Sequence, residues 1–368
     1  MNIGFDIHFL SKISQGTGTY SFQLVNALKD ILDKEQLILL NKRNIVGVFG
    51  NGYNLGWGRM LLNYTPFNVL YGYNKLVYEQ NLDIIHTNYL CSILPSKAKK
   101  VVTVHDILFK THSQYFPLSL RLGVDLFSKK CFAEADKIIA VSNYTKQQLI
   151  QYYPQTCNKI EVIYEAASKD FYLIEDKKFV RLKIEDKFNI KKPYILFVGR
   201  FAPIKNIESL ISYYRQTHNN EEYDLLLVGK FDKSFPNIGL EKYIQDNSNV
   251  KVLTEVSNTD LNLLYNGATL FYFVSRGEGF GLPILEAMSA GCPVLTSNIT
   301  ACNEIAGDAA VKVNPCSLDE VFNAMDFLLD NEEYRIKIAC KGLEHSRCFS
   351  WEKCAQETLK LYRTLVMM

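Results

Sequence analysis

Short apolar runs of four or five residues alternate with stretches of helical periodicity along this chain, and the whole alternation occurs twice. In the first half the runs fall at 3–7, 37–40, 83–86, 101–105, 137–141 and 160–163, with helical stretches at 20–32 and 118–133. In the second half they fall at 194–198, 224–228, 250–253, 270–274, 293–297 and 310–313, with helical stretches at 206–216, 258–265, 282–290, 318–330 and 351–366. Strands separated by helices read as βαβ units and a parallel sheet. The expected fold class is therefore α/β, with two Rossmann-like domains. A length of 368 residues agrees, since it exceeds what one core usually serves. The join is expected at 175–192. There Glu175-Asp176-Lys177-Lys178 and Glu185-Asp186-Lys187 make the chain charged and poor in apolar residues, as a linker should be.

Composition removes several function classes. Apolar residues make up 48% and charged residues 22%, which is globular. A net charge of +2 gives no basic field for nucleic acid, although a few local cations could still hold an acidic small ligand. The nine cysteines form no C-x-x-C pair and read as reduced, mostly buried thiols of a cytosolic protein. The opening Met1-Asn2-Ile3-Gly4-Phe5-Asp6-Ile7 reads as a strand, so no signal peptide is expected. No run of 18 apolar residues predicts a spanning helix. The segment 51–78 fits the alternation poorly, being rich in Gly, Asn and aromatics such as Trp57, Tyr64, Phe67 and Tyr71. It reads either as an excursion packed on the first domain or as a surface for an amphiphilic acceptor or the membrane interface.

The sharpest local signal is Gly277-Glu278-Gly279-Phe280-Gly281-Leu282-Pro283-Ile284-Leu285-Glu286, which follows a strand and opens a helix. The glycines allow close backbone approach, and Pro283 suits a first helical turn. Free N–H groups at such a helix start can hold a diphosphate. Glu278 and Glu286, the latter expected in the first turn, can accept hydrogen bonds from a ribose diol or a sugar ring. A ligand-free tight turn is the plainer reading, but turn chemistry does not require both glutamates. A second strand-to-helix turn carries Gly199-Arg200-Phe201-Ala202-Pro203-Ile204-Lys205-Asn206. Arg200 and Lys205 could neutralise a departing diphosphate, or form only a solvated basic loop. The first reading gains once the two turns share the carboxyl edge of one sheet.

Two weaker signals lie in the first half. Gly16-Thr17-Gly18-Thr19-Tyr20 is a G-x-G turn after the first strand, which can serve a ligand or simply cap a helix through Thr19. Val104-His105-Asp106 ends a strand. There His105 could donate to a sugar hydroxyl, while Asp106 orients it or serves an acceptor. The other histidines show no metal-ligand spacing, and D-x-D occurs nowhere. No metal is expected.

Together these motifs resemble the retaining glycosyltransferases of family 4, which have the GT-B fold. They are most similar to the mannosyltransferase-like branch that builds lipopolysaccharide O-chains and capsules. The resemblance also takes in 101–106, Ala135-Asp136-Lys137-Ile138-Ile139-Ala140-Val141-Ser142, Ile305-Ala306-Gly307-Asp308-Ala309-Ala310 and Phe349-Ser350-Trp351-Glu352. It implies two Rossmann-like domains facing each other: 1–174 on the acceptor side and 175–350 on the donor side. A C-terminal helix, 351–368, would return to the first domain. It implies that Glu278 contacts the donor sugar, that Glu286 binds the ribose, and that Arg200 and Lys205 meet the diphosphate. His105 would lie near an outer sugar hydroxyl. The backbone of Gly279, Phe280 and Gly281 would meet sugar and phosphate oxygens, with Gly16, Gly18, Gly199 and Leu282 also on the donor and Asp106 on the acceptor side. The loop Tyr164-Glu165-Ala166-Ala167-Ser168 departs from the family, which usually has a Gly there. Thr19 stands where relatives often carry Arg.

The implied activity is metal-independent hexose transfer with retention, from a nucleotide sugar (GDP-mannose first, a UDP-hexose second) to a glycan or lipid-linked acceptor. The expected location is cytoplasmic, with peripheral contact at the membrane face. Two enzymes share such a site. An epimerase would isomerise donor alone, and a phosphorylase would cleave a glycan with phosphate. A non-catalytic nucleotide-sugar binding subunit is disfavoured by the intact Arg200, Lys205, Glu278 and Glu286. A dehydrogenase is disfavoured by the missing G-x-G-x-x-G.

Overall fold

The computed structural model describes residues 1–7, 16–33, 35–41, 44–50, 53–54, 73–217, 219, 221–231 and 238–367. Most of the aromatic segment, including Trp57, Tyr64, Phe67 and Tyr71, lies outside the described residues. The chain forms two compact units, Met1–Glu165 with Ser350–Met368, and Ala166–Phe349.

The first unit holds β1 (Asn2–Asp6), β2 (Gln36–Asn41), β3 (Asn44–Gly50), β4 (Tyr53–Asn54), β5 (Ile84–Asn88), β6 (Lys99–Val104), β7 (Lys137–Ala140) and β8 (Ile160–Val162). They lie in the order β4-β3-β2-β1-β5-β6-β7-β8. The stretch from β2 to β8 is parallel, and the six expected strands are all in it. The antiparallel β3 and β4 were not expected. Chain order reverses between β1 and β5. The helix Gly16–Ile31 buries Tyr20, Leu24, Val25 and Leu28, spaced three and four residues apart as one helix face requires. The closing helix Trp351–Met367 packs beside it and belongs to this unit. There Arg363 Nε donates to Glu35 Oε1 at 2.7 Å, and the pairing pulls the Glu35 carboxyl down to about 2.

The second unit holds β9 (Tyr194–Val198), β10 (Asp224–Val228), β11 (Val250–Leu253), β12 (Leu270–Phe273), β13 (Val294–Ser297) and β14 (Val311–Val313). All are parallel, in the order β11-β10-β9-β12-β13-β14. This is the doubly wound Rossmann order, and its switch point lies between β9 and β12. Ligands of such sheets bind outside the carboxyl ends of the strands at that point.

Two expectations change. The segment 175–192 is not an extended linker: Lys177–Phe188 is a helix. Asp176 caps it by accepting from the Phe179 N–H at 2.9 Å, and Asn189 ends it in the left-handed region at φ +53°. Only Val180 and Ile184 are buried, one narrow apolar stripe, while Phe179 and Leu182 are exposed. The boundary between the units falls at Glu165/Ala166 rather than 174/175, because 166–174 bonds to the second unit. Tyr172 N–H donates to Asn262 Oδ1 at 3.1 Å and Ile174 N–H to Asn266 Oδ1 at 2.7 Å.

Candidate active site

Both glycine-rich turns of the second unit emerge at the switch point, one after β9 and one after β12. The first is laid against β10 by a close approach that only glycine permits. A Cβ on Gly229 (φ +155°) would stand 1.8 Å from the Gly199 carbonyl oxygen. The Gly199 N–H donates to Val228 O, and the Phe201 N–H to Lys230 O, each at 2.9 Å. The turn continues as a 3₁₀ segment, Pro203–Lys205, and Asn206 (φ +56°) reverses it into the helix Ile207–Gln216.

The second turn is laced to the first. Ser275 Oγ and the Arg276 N–H donate to Ile204 O at 3.0 and 2.8 Å, and Arg276 Nη1 donates to Pro203 O at 2.9 Å. Lys205 Nζ then forms a salt bridge with Glu278 Oε1, and lies 5.3 Å from the centre of the Phe273 ring. Both partners are largely buried, at 19% and 11% side-chain exposure. An ammonium group this enclosed is costly to bury without a charged partner, and Glu278 supplies one. Arg200, at the start of the same turn, is exposed. Beneath them the Cys302 thiol is pushed up to about 12 by burial and by the Glu278 carboxylate.

The helix Leu282–Ser289 starts at Gly281, whose φ of +106° is a glycine conformation. No side chain caps it, and Pro283 sits in its first turn as expected. Pro283 has no N–H and the Ile284 N–H donates to Gly281 O at 2.9 Å, so Leu282 is the first-turn amide with no partner inside the helix to offer an anion. Gly279, Phe280 and Leu282 are buried, with Phe280 edge-on to Phe349 at 6.3 Å. Glu286 lies in the second turn, not the first, and it does not share a partner with Glu278. The Tyr265 hydroxyl, from the helix Asn258–Gly267, donates to Glu286 Oε2 at 3.0 Å. Glu286 is partly exposed as a residue, yet its carboxyl is enclosed enough that burial pushes it up to about 7, against the pull of Tyr265.

In the first unit His105 follows β6 with both ring nitrogens engaged. Nδ1 stands 2.8 Å from Glu165 Oε1, and Nε2 stands 3.0 Å from Asn88 Oδ1. So Glu165, not Asp106, orients His105. Asp106 accepts from the Tyr89 hydroxyl and the Leu108 N–H, each at 3.0 Å. Tyr89 itself is held at φ +62°, an uncommon state for a bulky residue. Gly16 and Gly18 lie inside the helix Gly16–Ile31, so Thr19 is within its first turn and is not its cap. Sequence reading missed Asn88, Tyr89, Glu165, Ser275 and Arg276. Among the described residues no three His, Cys, Asp or Glu side chains gather as a metal site. No described helix is long and apolar enough to cross a membrane.

The family described as "Glycosyltransferase Family 4" matches residues 17–169, and "Glycosyl transferases group 1" matches 180–344. Two Rossmann-like units with these matches define a GT-B glycosyltransferase. The sucrose-phosphate synthase of Thermosynechococcus elongatus has the same fold, with a TM-score of 0.79 over 99% of each chain at 20% identity. HepE of Anabaena, solved with UDP-glucose, gives 0.74 over 99% of this chain and 100% of that one at 18% identity. "O-antigen chain mannosyltransferase B" of Escherichia coli is 29% identical over 74% of this chain and 72% of its own length. "Serotype-specific mannosyltransferase WbdA", also of Escherichia coli, is 30% identical over 64% of this chain but only 29% of its own length. The chain belongs to the family 4 glycosyltransferases.

Proposed function

We propose that this enzyme is a retaining, metal-independent mannosyltransferase. It moves mannose from GDP-mannose to a glycan or lipid-linked saccharide in cell-surface polysaccharide synthesis. A UDP-hexose is the second choice of donor. The observation that carries the reading is the Lys205–Glu278 pair, fixed between the two turns at the switch point. The turn that carries Glu278 leads directly into the uncapped helix start at Gly281. The leaving diphosphate takes Lys205, Arg200 and the amides at Gly281 and Leu282 as its partners, so positive charge is supplied by protein rather than magnesium. Glu278 contacts the donor sugar, and Glu286 takes the ribose diol. The backbone of Gly199, Gly279, Phe280 and Gly281 approaches sugar and phosphate oxygens. On the first unit His105 lies near an outer sugar hydroxyl and Asp106 stands on the acceptor side. No side chain is assigned as nucleophile. The transition state is an oxocarbenium-like ion pair, and the leaving phosphate accepts the acceptor's proton. The names of the relatives support mannose, and a lipid-linked acceptor would bring the enzyme to the cytoplasmic membrane face.

Melting curves with GDP-mannose, UDP-glucose and UDP-galactose, each in excess EDTA, test the reading. GDP-mannose at 100 times its Kd should stabilise the chain by about 2.7 kcal/mol, and the shift should survive chelation. Stabilisation that needs a divalent cation, or none from any sugar nucleotide, would contradict it.

A further inference from the structure

We propose that Glu165 is a positioning residue that keeps His105 doubly protonated, so that His105 is a fixed cation and not a base. The protonation state follows from hydrogen-bond bookkeeping within the first unit. Ser21 Oγ donates its only proton to the Thr17 carbonyl at 3.0 Å. With its proton there, it accepts from Asn88, whose Nδ2 lies 3.1 Å away. That fixes the Asn88 amide, and its Oδ1 faces His105 Nε2 at 3.0 Å. An amide oxygen only accepts, so Nε2 carries a proton.

On the other side of the ring, Nδ1 meets Glu165 Oε1 at 2.8 Å. One proton joins these two atoms. An imidazole is a stronger base than a carboxylate, so the proton belongs to the ring. Both groups are buried, at 8% exposure for His105 and 2% for Glu165, and each offsets the charge of the other. Burial, with the His105 charge adding to it, pushes the His86 imidazole down to about 3. Burial and the Glu165 carboxylate push the Cys354 thiol of the closing helix up. The Tyr20 ring lies edge-on at 4.8 Å and the Tyr89 ring at 5.3 Å, with Asp106 held beyond Tyr89.

The consequence for catalysis rests on the transferase reading above. An imidazolium cannot take a proton from an acceptor hydroxyl, so that proton must leave with the phosphate. The protonation state itself does not depend on that reading.

The test is ¹⁵N spectroscopy of the histidine rings in the full chain at pH 7.5, where a free imidazole is mostly neutral. His105 is assigned by its loss in His105→Gln. Two protonated nitrogens on His105 are expected, and one bare nitrogen would overturn the proposal. In Glu165→Gln one of those protons should be lost at the same pH. The variant's kcat should fall on the order of 10- to 100-fold, less than for removal of a donor outright, with the donor KM within about twofold. An unchanged kcat would overturn the positioning role. If Glu165→Gln does not fold, the wild-type spectrum still decides the protonation state. Failure of the wild-type chain to transfer any sugar would sink the function and leave that spectrum standing.

Discussion

Lys205→Ala should lower sugar transfer by on the order of 10²–10³, the loss seen when one preorganised donor to a developing anion is removed. Two effects combine. The diphosphate loses its enclosed cation, and the Glu278 carboxylate, 8% exposed, loses its salt-bridge partner. Removing one partner of a buried ion pair costs about 3–5 kcal/mol of stability, and the partial exposure of this pair favours the lower end. A second substitution separates the two. Lys205→Ala combined with Glu278→Gln should recover much of the stability and none of the rate. Arg200→Ala should show a similar rate loss with little change in melting temperature, because Arg200 is exposed. Steady-state kinetics and urea melts of the four proteins check this. Wild-type turnover by Lys205→Ala would leave the pair as a structural ion pair only.

Glu286→Gln should make the fold more stable at pH 8 while weakening the donor. The carboxyl ordinarily titrates near 4.5 and is raised to about 7 in the fold. A raised value means that ionisation is penalised by folding. The protonated group's contribution is therefore fully present below about 4.5 and is lost as pH rises through about 7. The glutamine variant escapes that loss. Its gain should be on the order of 1–3 kcal/mol at pH 8, with partial exposure favouring the lower end, and close to zero at pH 4.5. Function runs the other way. A ribose diol binds best to the ionised carboxylate, so the wild-type donor KM should rise roughly tenfold from pH 8 to pH 6. In the variant it should be high and flat. Equal stability of both proteins at pH 8, or a wild-type KM that ignores pH, would show that Glu286 does not hold the donor. A group that lowers stability where it serves binding is the usual trade-off of functional sites.

Much of the fold is legible because a strand buried on both faces writes its own signal. The run Tyr194–Val198 is apolar, short and bounded, and its interior is buried in the structure. The same holds for Asp224–Val228. The helix Lys177–Phe188 fails the same reading because it buries only Val180 and Ile184. Its caps, Asp176 and Asn189, were the available signal. The antiparallel β3 carries Ile45, Val46, Val48 and Phe49, but Gly47 breaks that apolar run and weakens it as a strand signal. The glycine-rich helix start was legible, since phosphate chemistry needs local backbone. Pairings were not. Lys205 meets Glu278 across 73 residues and His105 meets Glu165 across 60. Each depends on which strands are neighbours, and periodicity does not encode strand order.

The most direct measurement is a crystal structure of the enzyme with an intact, non-hydrolysable analogue of its sugar nucleotide, grown in EDTA. The pyrophosphate should lie against Lys205 Nζ, the Arg200 guanidinium and the amides at Gly281 and Leu282, with the ribose on Glu286 and no metal between the phosphates. A nucleotide bound elsewhere, or a pyrophosphate that leaves the Lys205–Glu278 pair untouched, would contradict the account.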